Sequence, residues 1–404
     1  MDHDTTLHYT TLGDSGNRNS DCDSRPHRAP RSLYIHVPFC RAKCTYCNFY
    51  SRPFEVGRAE GFVTAATMEL AARSERLETP LESVFVGGGT PTVLGGELLG
   101  RLLRPIGQYV DENTEFTVEA NPDTMDSSLA DILVAEGVNR VTLGVQSFQA
   151  AELRLLGRTH SADRAGRVVG ILRKAGLRNL GLDVIYGIPG QTAASWRDTL
   201  CRVLALSAEH LSCYALSFEA GTALERDRLS GRLRETEDSF QRDCYEAVIA
   251  ASADAGMEHY GISNFAAAGR LCRHNLTCWR NRPYLGIGPD AASYLEQVRS
   301  INTADTGAYV SAVSAGHPAP ADSERLTGRP AMAEAVMLGL RLIQGIDRTA
   351  FRACYGQDPI MAFPRSTTRY AEIGALIVTE SHVRLAGDSL FVADAILSDI
   401  LAEA

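Results

Sequence analysis

Residues 34–49 read YIHVPFCRAKCTYCNF. The stretch opens on an aromatic and β-branched run of the kind that forms a buried strand. It then places Cys40, Cys44 and Cys47 in a C-x3-C-x2-C spacing. Thiolates are the usual ligands of iron–sulfur cubanes. Three of them on one loop can hold three irons and leave the fourth open to chelate a substrate or cofactor. The alternative is a zinc site with His36 as fourth ligand. Structural zinc usually takes four protein ligands, often as paired knuckles, and no second knuckle follows in the sequence.

Working outward, apolar, β-branched runs at 32–37, 83–87, 115–120, 140–145, 179–185 and 211–216 are expected to be strands. Between them, residues 58–77, 96–110, 127–136, 162–175 and 193–206 carry apolar residues at helical spacing. Ser161 and Thr192 suit N-caps, and Gly137 and Gly176 suit helix stops. Alternating strands and helices imply parallel βαβ units. Each strand runs into a distinctive cluster: the Cys loop, then GGGTPT (87–92), EANP (119–122), GVQSF (144–148), DVIYGIP (183–189) and CYALS (213–217). In α/β barrels the C-terminal strand ends carry the site. Six clusters on one rim suit one large cofactor site.

Later the pattern changes. Residues 235–255 read as a long helix, 256–300 are rich in Gly, Asn, Arg and aromatics, and 316–330 reads as a linker. Residues 331–404 suggest a small α+β unit with a strand pair at 375–379 and 390–392. The expected division is a disordered leader (1–30), a partial barrel (31–225), a helical and loop extension (226–315) and a C-terminal α+β domain (316–404). A chain of 404 residues exceeds one compact core. The net charge of −9 makes it a poor partner for nucleic acid, whose binding rests on Lys and Arg at phosphates. No apolar run is long enough for a transmembrane segment, and no signal peptide is evident, so the expected location is cytoplasmic. In that reducing compartment clustered thiols point to metal.

The Cys motif resembles the opening motif of radical S-adenosylmethionine (SAM) proteins, in the branch related to oxygen-independent coproporphyrinogen III oxidase. Further matches are GGGTPT, HYGISNFA (259–266), RHNLTCW (273–279), YLGIGP (284–289) and AVMLGLRLIQGID (335–347). The resemblance implies a partial (β/α)6 barrel with a smaller C-terminal α+β domain. It implies a [4Fe–4S] cluster on Cys40, Cys44 and Cys47, with SAM on the open iron and cleaved by one electron to a 5′-deoxyadenosyl radical. The SAM-contact positions it implies are Tyr34, Tyr46, Gly88, Gly89, Thr90, Glu119, Gln146, Arg158, Asp183 and Ala215. Arg suits a carboxylate and Asp suits ribose hydroxyls. An ordinary salt bridge is the plain alternative for Arg158 and Asp183.

Within that family the oxidase carries a fourth Cys two residues after the third. Here that position is Phe49. CNF resembles the heme-chaperone (HemW) branch, which implies heme as a further cofactor, a heme-accepting protein and an electron donor as partners, and no oxidase reaction. That branch usually reads H-N-x-x-Y-W, whose His is implicated in heme binding. This chain has His274 and Trp279, with Cys278 in place of Tyr. On a helix His274 and Cys278 would share one face. Asp290 and Ala292 stand where relatives commonly carry Gly and His in GPGAHSY.

Overall fold

A computed structural model describes residues 29–404, so the expected leader lies almost wholly outside the described residues. Six strands pair in chain order and in parallel: β1 (Ser32–Val37), β2 (Ser83–Gly88), β3 (Glu115–Ala120), β4 (Arg140–Gln146), β5 (Asn179–Tyr186) and β6 (His210–Ala215). The crossovers carry α1 (Val56–Arg73), α2 (Gly95–Leu103), α3 (Ser127–Ala135), α4 (Ala162–Lys174) and α5 (Ala193–Ala205). Thr192 caps α5 in a reciprocal box with Ser195. Ser161 occupies the N-cap of α4 without a capping side-chain bond.

Side chains on a strand alternate between its two faces. On β4, Val141, Leu143 and Val145 are buried in the main core, which also holds Val168 and Leu172 of α4. The intervening Arg140, Thr142, Gly144 and Gln146 line an interior cavity. On β6, Leu211 and Cys213 enter the core while His210, Ser212 and Tyr214 line the cavity. The sheet therefore has an apolar outer face under the helices and a polar inner face. This is the partial (β/α)6 barrel expected from the sequence.

The sheet does not close on itself. A long helix α6 (Asp238–Asp254) leads to β7 (Glu258–Gly261) and β8 (Asn264–Ala266); β8 is antiparallel to β6. Later in the chain, β9 (Leu285–Ile287) joins the opposite side, parallel to β1. The sheet order is β9-β1-β2-β3-β4-β5-β6-β8-β7. The chain between β8 and β9 holds α7 (Arg273–Trp279), which packs against the first residues of β1, β2 and β3, at the N-terminal end of the open barrel's seam. Hydroxyls peg it in place. Ser32 Oγ lies 3.1 Å from Thr277 Oγ1, Ser83 Oγ donates to Ser32 Oγ at 2.9 Å, and His274 Nδ1 lies 3.2 Å from Ser83 Oγ. Glu115 on β3 accepts from Arg273 N at 2.9 Å, putting a carboxylate on the unpaired amides that begin the helix.

Beyond β9, strands β10 (Ala292–Leu295), β11 (Val298–Asn302) and β12 (Ala321–Arg325) form an antiparallel sheet. The helix α8 (Thr306–Ser314) returns to α1, where Tyr309 donates to the buried Glu69 at 2.7 Å. The chain ends in α9 (Gly328–Gly339), β13 (Ile346–Asp347), β14 (Leu376–Val378), β15 (His382–Leu385) and α10 (Ala393–Ala402). Two local expectations fail here. The expected linker at 316–330 contains β12, an edge strand whose five residues are all exposed, so no apolar alternation marks it. The strand expected at 390–392 belongs to a 3₁₀ turn, Gly387–Val392. The true partner of β14 is β15, where buried Val383 and Leu385 alternate with His382 and Arg384. Among the described residues, no helix is long and apolar enough to cross a membrane.

If Glu115 anchors the seam, Glu115→Ala should loosen α7 first. Removing a buried acceptor from several donors is expected to cost about 2–4 kcal/mol. Urea unfolding would give the loss, and amide exchange over 273–279 should accelerate more than exchange in α5.

Candidate cofactor site

The loop after β1 is fastened to three neighbours. Arg52 N donates to Pro38 O at 2.8 Å and Phe54 N to Cys40 O at 3.0 Å. Thr45 N donates to Leu156 O at 3.1 Å, and Leu224 N donates to Thr45 O at 2.8 Å. These bonds hold Cys40, Cys44 and Cys47 on the wall of a cavity of about 510 Å³ that extends into the barrel. That volume lies within the roughly 300–1,000 Å³ of small-molecule sites. Cys40 Sγ is 3.5 Å from Thr90 Oγ1, and Arg158 Nη1 is 3.5 Å from Cys44 Sγ. Burial pushes the Cys47 thiol up.

His36, the fourth ligand of the zinc alternative, is not aimed at the thiols. His36 places Nε2 2.9 Å from Tyr50 O and Nδ1 3.1 Å from Tyr34 Oη, so both nitrogens are engaged away from the thiols. Among the described residues, no three His, Cys, Asp or Glu side chains come together as a single-ion site.

Beside the thiols, Gly88, Gly89 and Thr90 bring backbone to the cavity, Thr90 N donating to Phe39 O at 2.7 Å. Gly88 has φ +98°, and its N–H donates to Glu119 Oε2 at 3.1 Å. A Cβ on Gly89 would lie 2.5 Å from Phe39 O, so only glycine lets these loops approach. Gln146 has φ +67° at a bulge that ends the β4–β5 pairing. Such a backbone costs about 1–3 kcal/mol, and at sheet ends bulges re-aim side chains. Here Gln146 lines the cavity.

Two of the cavity's carboxyls, Glu119 and Asp183, are buried and feel each other's charge. Glu119 is pushed up to about 8, first by burial and then by the charge of Asp183. Asp183 is also raised by burial, although its oxygens accept from Thr142 Oγ1 at 3.3 and 3.4 Å. Arg158 turns instead to Gly144 O, 2.5 Å from Nη2, and to Cys44; its buried Nε has no partner. Tyr46 and Ala215 complete the expected lining, and burial raises the Tyr46 phenol. Phe49 lies at the mouth, 65% exposed.

Three expected site residues are set apart from this lining. Tyr34 lies behind His36, with its ring 6.0 Å from that of His274. His274 is buried in the seam, its ring stacked on Phe85 with centroids 5.1 Å apart. Burial, then the nearby Arg140 charge, hold its imidazole down at about 4. Cys278 shares the helix with His274 and is half-buried, its thiol pushed up to about 11 by burial. Asp290 adopts φ +61°, a backbone that suits glycine.

Sequence reasoning missed Arg140, Thr142, His210, Ser212, Tyr214, Cys272 and Asn275, all of which line the cavity. The signal for the strand residues was the polar set at every second position, hidden inside runs read simply as apolar.

Residues 34–202 match the family model of the radical SAM superfamily. The heme chaperone HemW of Bacillus subtilis is 32% identical over 377 residues, covering 92% of this chain and 100% of that protein. HemW of Synechocystis is 35% identical over 332 residues, 78% of this chain and 79% of the relative. The coproporphyrinogen III oxidase HemN of Escherichia coli, a radical SAM enzyme, superposes with TM-score 0.80 at 22% identity, covering 95% of this chain and 92% of that one. The full-length match to the Bacillus protein, joined to the Cys loop and the parallel barrel beneath it, means that the chain belongs to the HemW family of the radical SAM superfamily.

Proposed function

We propose that this protein is a cytoplasmic heme chaperone, carrying a [4Fe–4S] cluster and SAM, that passes heme to an acceptor protein. The observation that carries the reading is the wall of three thiols facing a polar interior, with Gly88, Gly89 and Thr90 beside them. Cys40, Cys44 and Cys47 would hold the cluster, and three ligands suit a cubane with one open iron. When bound, these groups supply one-electron and radical chemistry that amino acids lack, and they require an electron donor.

The chain's own part is positioning. Arg158, anchored through Gly144, would meet a carboxylate, the partner its fork geometry favours. Asp183 and Glu119 suit hydroxyls, and a Glu119 still protonated near neutrality can donate as well as accept. Gly88, Gly89, Thr90, Gln146, Tyr46 and Ala215 shape the remaining wall, with Tyr34 supporting it from behind through His36. Phe49 gives no thiolate where the oxidase has one, which favours a carrier over coproporphyrinogen conversion. A bond from His274 to heme iron would require α7 to leave the seam, because Nδ1 is tied to Ser83 and the ring is buried.

Anaerobic reconstitution tests the reading. The wild-type chain should take up about four iron and four sulfide, and Cys44→Ala should lose the cluster. Zinc without iron would overturn it. The reconstituted protein should bind heme and leave coproporphyrinogen III unchanged; conversion with release of 5′-deoxyadenosine would establish the enzyme instead.

A second expectation concerns pH. Glu119 titrates near 4.5 unfolded and at about 8 folded, so between those values the folded state holds the extra proton. Stability therefore falls as pH rises through that window, by up to about 1.4 kcal/mol per pH unit from this one group. Urea midpoints of cofactor-free protein from pH 5 to 8 should show the slope, and Glu119→Gln should flatten it.

A further inference from the structure

Gln146 lines the cavity with its backbone held at φ +67°. A side-chain-bearing residue stays in that region only where its surroundings over-determine it. The reward is the place of its amide. A Cβ on Gly144 would lie 2.8 Å from the Gln146 amide and 3.3 Å from the Arg158 guanidinium, so these two side chains flank one glycine on the cavity wall.

The chain before the bulge is held through carbonyls. Arg158 Nη2 donates to Gly144 O at 2.5 Å, and His160 Nε2 lies 3.1 Å from Val145 O. After the bulge the hold is a side chain. The buried Ser147 donates from Oγ to Oε2 of Glu152 at 2.5 Å. Glu152 is buried as well, on the short helix Ala150–Leu155 between the bulge and Arg158. Its Oε2 also accepts from Gln191 Nε2 at 3.1 Å, and its Oε1 accepts from Ser195 Oγ at 2.8 Å. Gln191 Oε1 in turn accepts from Gly187 N at 2.8 Å, so a backbone N–H at one end and a carboxylate at the other fix the direction of this amide. All three donors to Glu152 are neutral. A carboxylate buried on neutral donors is a costly choice where an apolar side chain could pack, which calls for a reason beyond stability.

We propose that Glu152 is a positioning residue for the cofactor site. Its carboxylate ties Ser147, and with it the Gln146 bulge, to the loop after β5 and to the first turn of α5. Gln146 is thereby kept in its left-handed backbone with its amide beside Arg158. Glu152 is not among the residues that line the cavity, so it acts through Gln146 and touches no ligand itself. The inference rests on the SAM reading above.

The test is equilibrium dialysis of SAM against the anaerobically reconstituted full chain, with iron content measured for each variant. Glu152→Met, which keeps volume and removes the acceptor, should retain the iron and weaken SAM by about tenfold, the size of one coupling between neighbours. Ser147→Ala cuts the same bond from the other side and should do the same, and it carries the comparison should Glu152→Met not fold. In a Gln146→Ala background either change should weaken SAM by no more than about twofold further, because the side chain being positioned is gone. Glu209→Met supplies the structural control. Glu209 accepts from Arg173 and from Leu180 N at the other end of the barrel, so its loss should lower the urea midpoint and leave SAM affinity within about twofold. Before any cofactor is added, amide exchange over 144–149 should quicken in Glu152→Met and not in Glu209→Met. If Glu152→Met and Ser147→Ala bind SAM as wild type does, the proposal is overturned although the SAM reading stands. If they weaken SAM equally with and without the Gln146 amide, the effect does not pass through Gln146 and the proposal is likewise overturned. If wild type with its full iron binds no SAM saturably, the SAM reading itself falls, and the role of Glu152 with it.

Discussion

The two-residue period of the six parallel strands is the constraint on which the rest depends. Parallel strands covered on both faces usually read as nearly continuous apolar runs. Here one face is apolar and the other holds Glu119, Arg140, Thr142, Asp183, His210, Ser212 and Tyr214. Ionised groups are costly inside a protein unless each finds a partner. The enclosed space meets that cost only in part, and Glu119 answers by holding its proton to about 8. A shift of one residue in any strand would turn this polar set toward the helices and the core residues inward. Register, core and cavity are therefore one specification.

The same polar interior explains the seam. An open barrel with an apolar interior could be packed shut by side chains alone. One lined with carboxyls, a guanidinium and hydroxyls calls for a closing element that can itself hydrogen-bond. The helix α7 is held that way at the N-terminal strand ends, where Thr277, His274 and its first backbone amides meet Ser32, Ser83 and Glu115. The RHNLTCW motif is buried at its His274 end, and its last residue, Trp279, lines a different cleft. A single short motif contributes to two places because a helix has more than one side.

Much of this was legible in the sequence. The six strands, the five crossover helices and the convergence of their C-terminal clusters followed from periodicity and glycine placement. The Cys loop, GGGTPT, Glu119, Gln146, Arg158 and Asp183 do line one cavity. What stayed hidden depended on distant partners. Nothing local to Tyr34 or His274 says that one ring stacks on the other. The exposed strand β12 has no apolar alternation, since it is paired on one side and wet on both faces. The hairpin strand β15 is too short for its two buried residues to outweigh the apolar run that follows, which turned out to be a 3₁₀ turn.

The strands flanking β1 and β6 come from residues 285–287 and 264–266, after the six-strand run is complete. Order of synthesis therefore differs from order of closure. A chain leaving the ribosome has Cys40, Cys44, Cys47 and all six barrel strands before it has either flanking strand or the seam helix. Neither flank of the six-strand run is covered until residue 287 has emerged. Nascent domains generally fold as units during synthesis, so the parallel core can form before the edges that protect it from pairing with other chains.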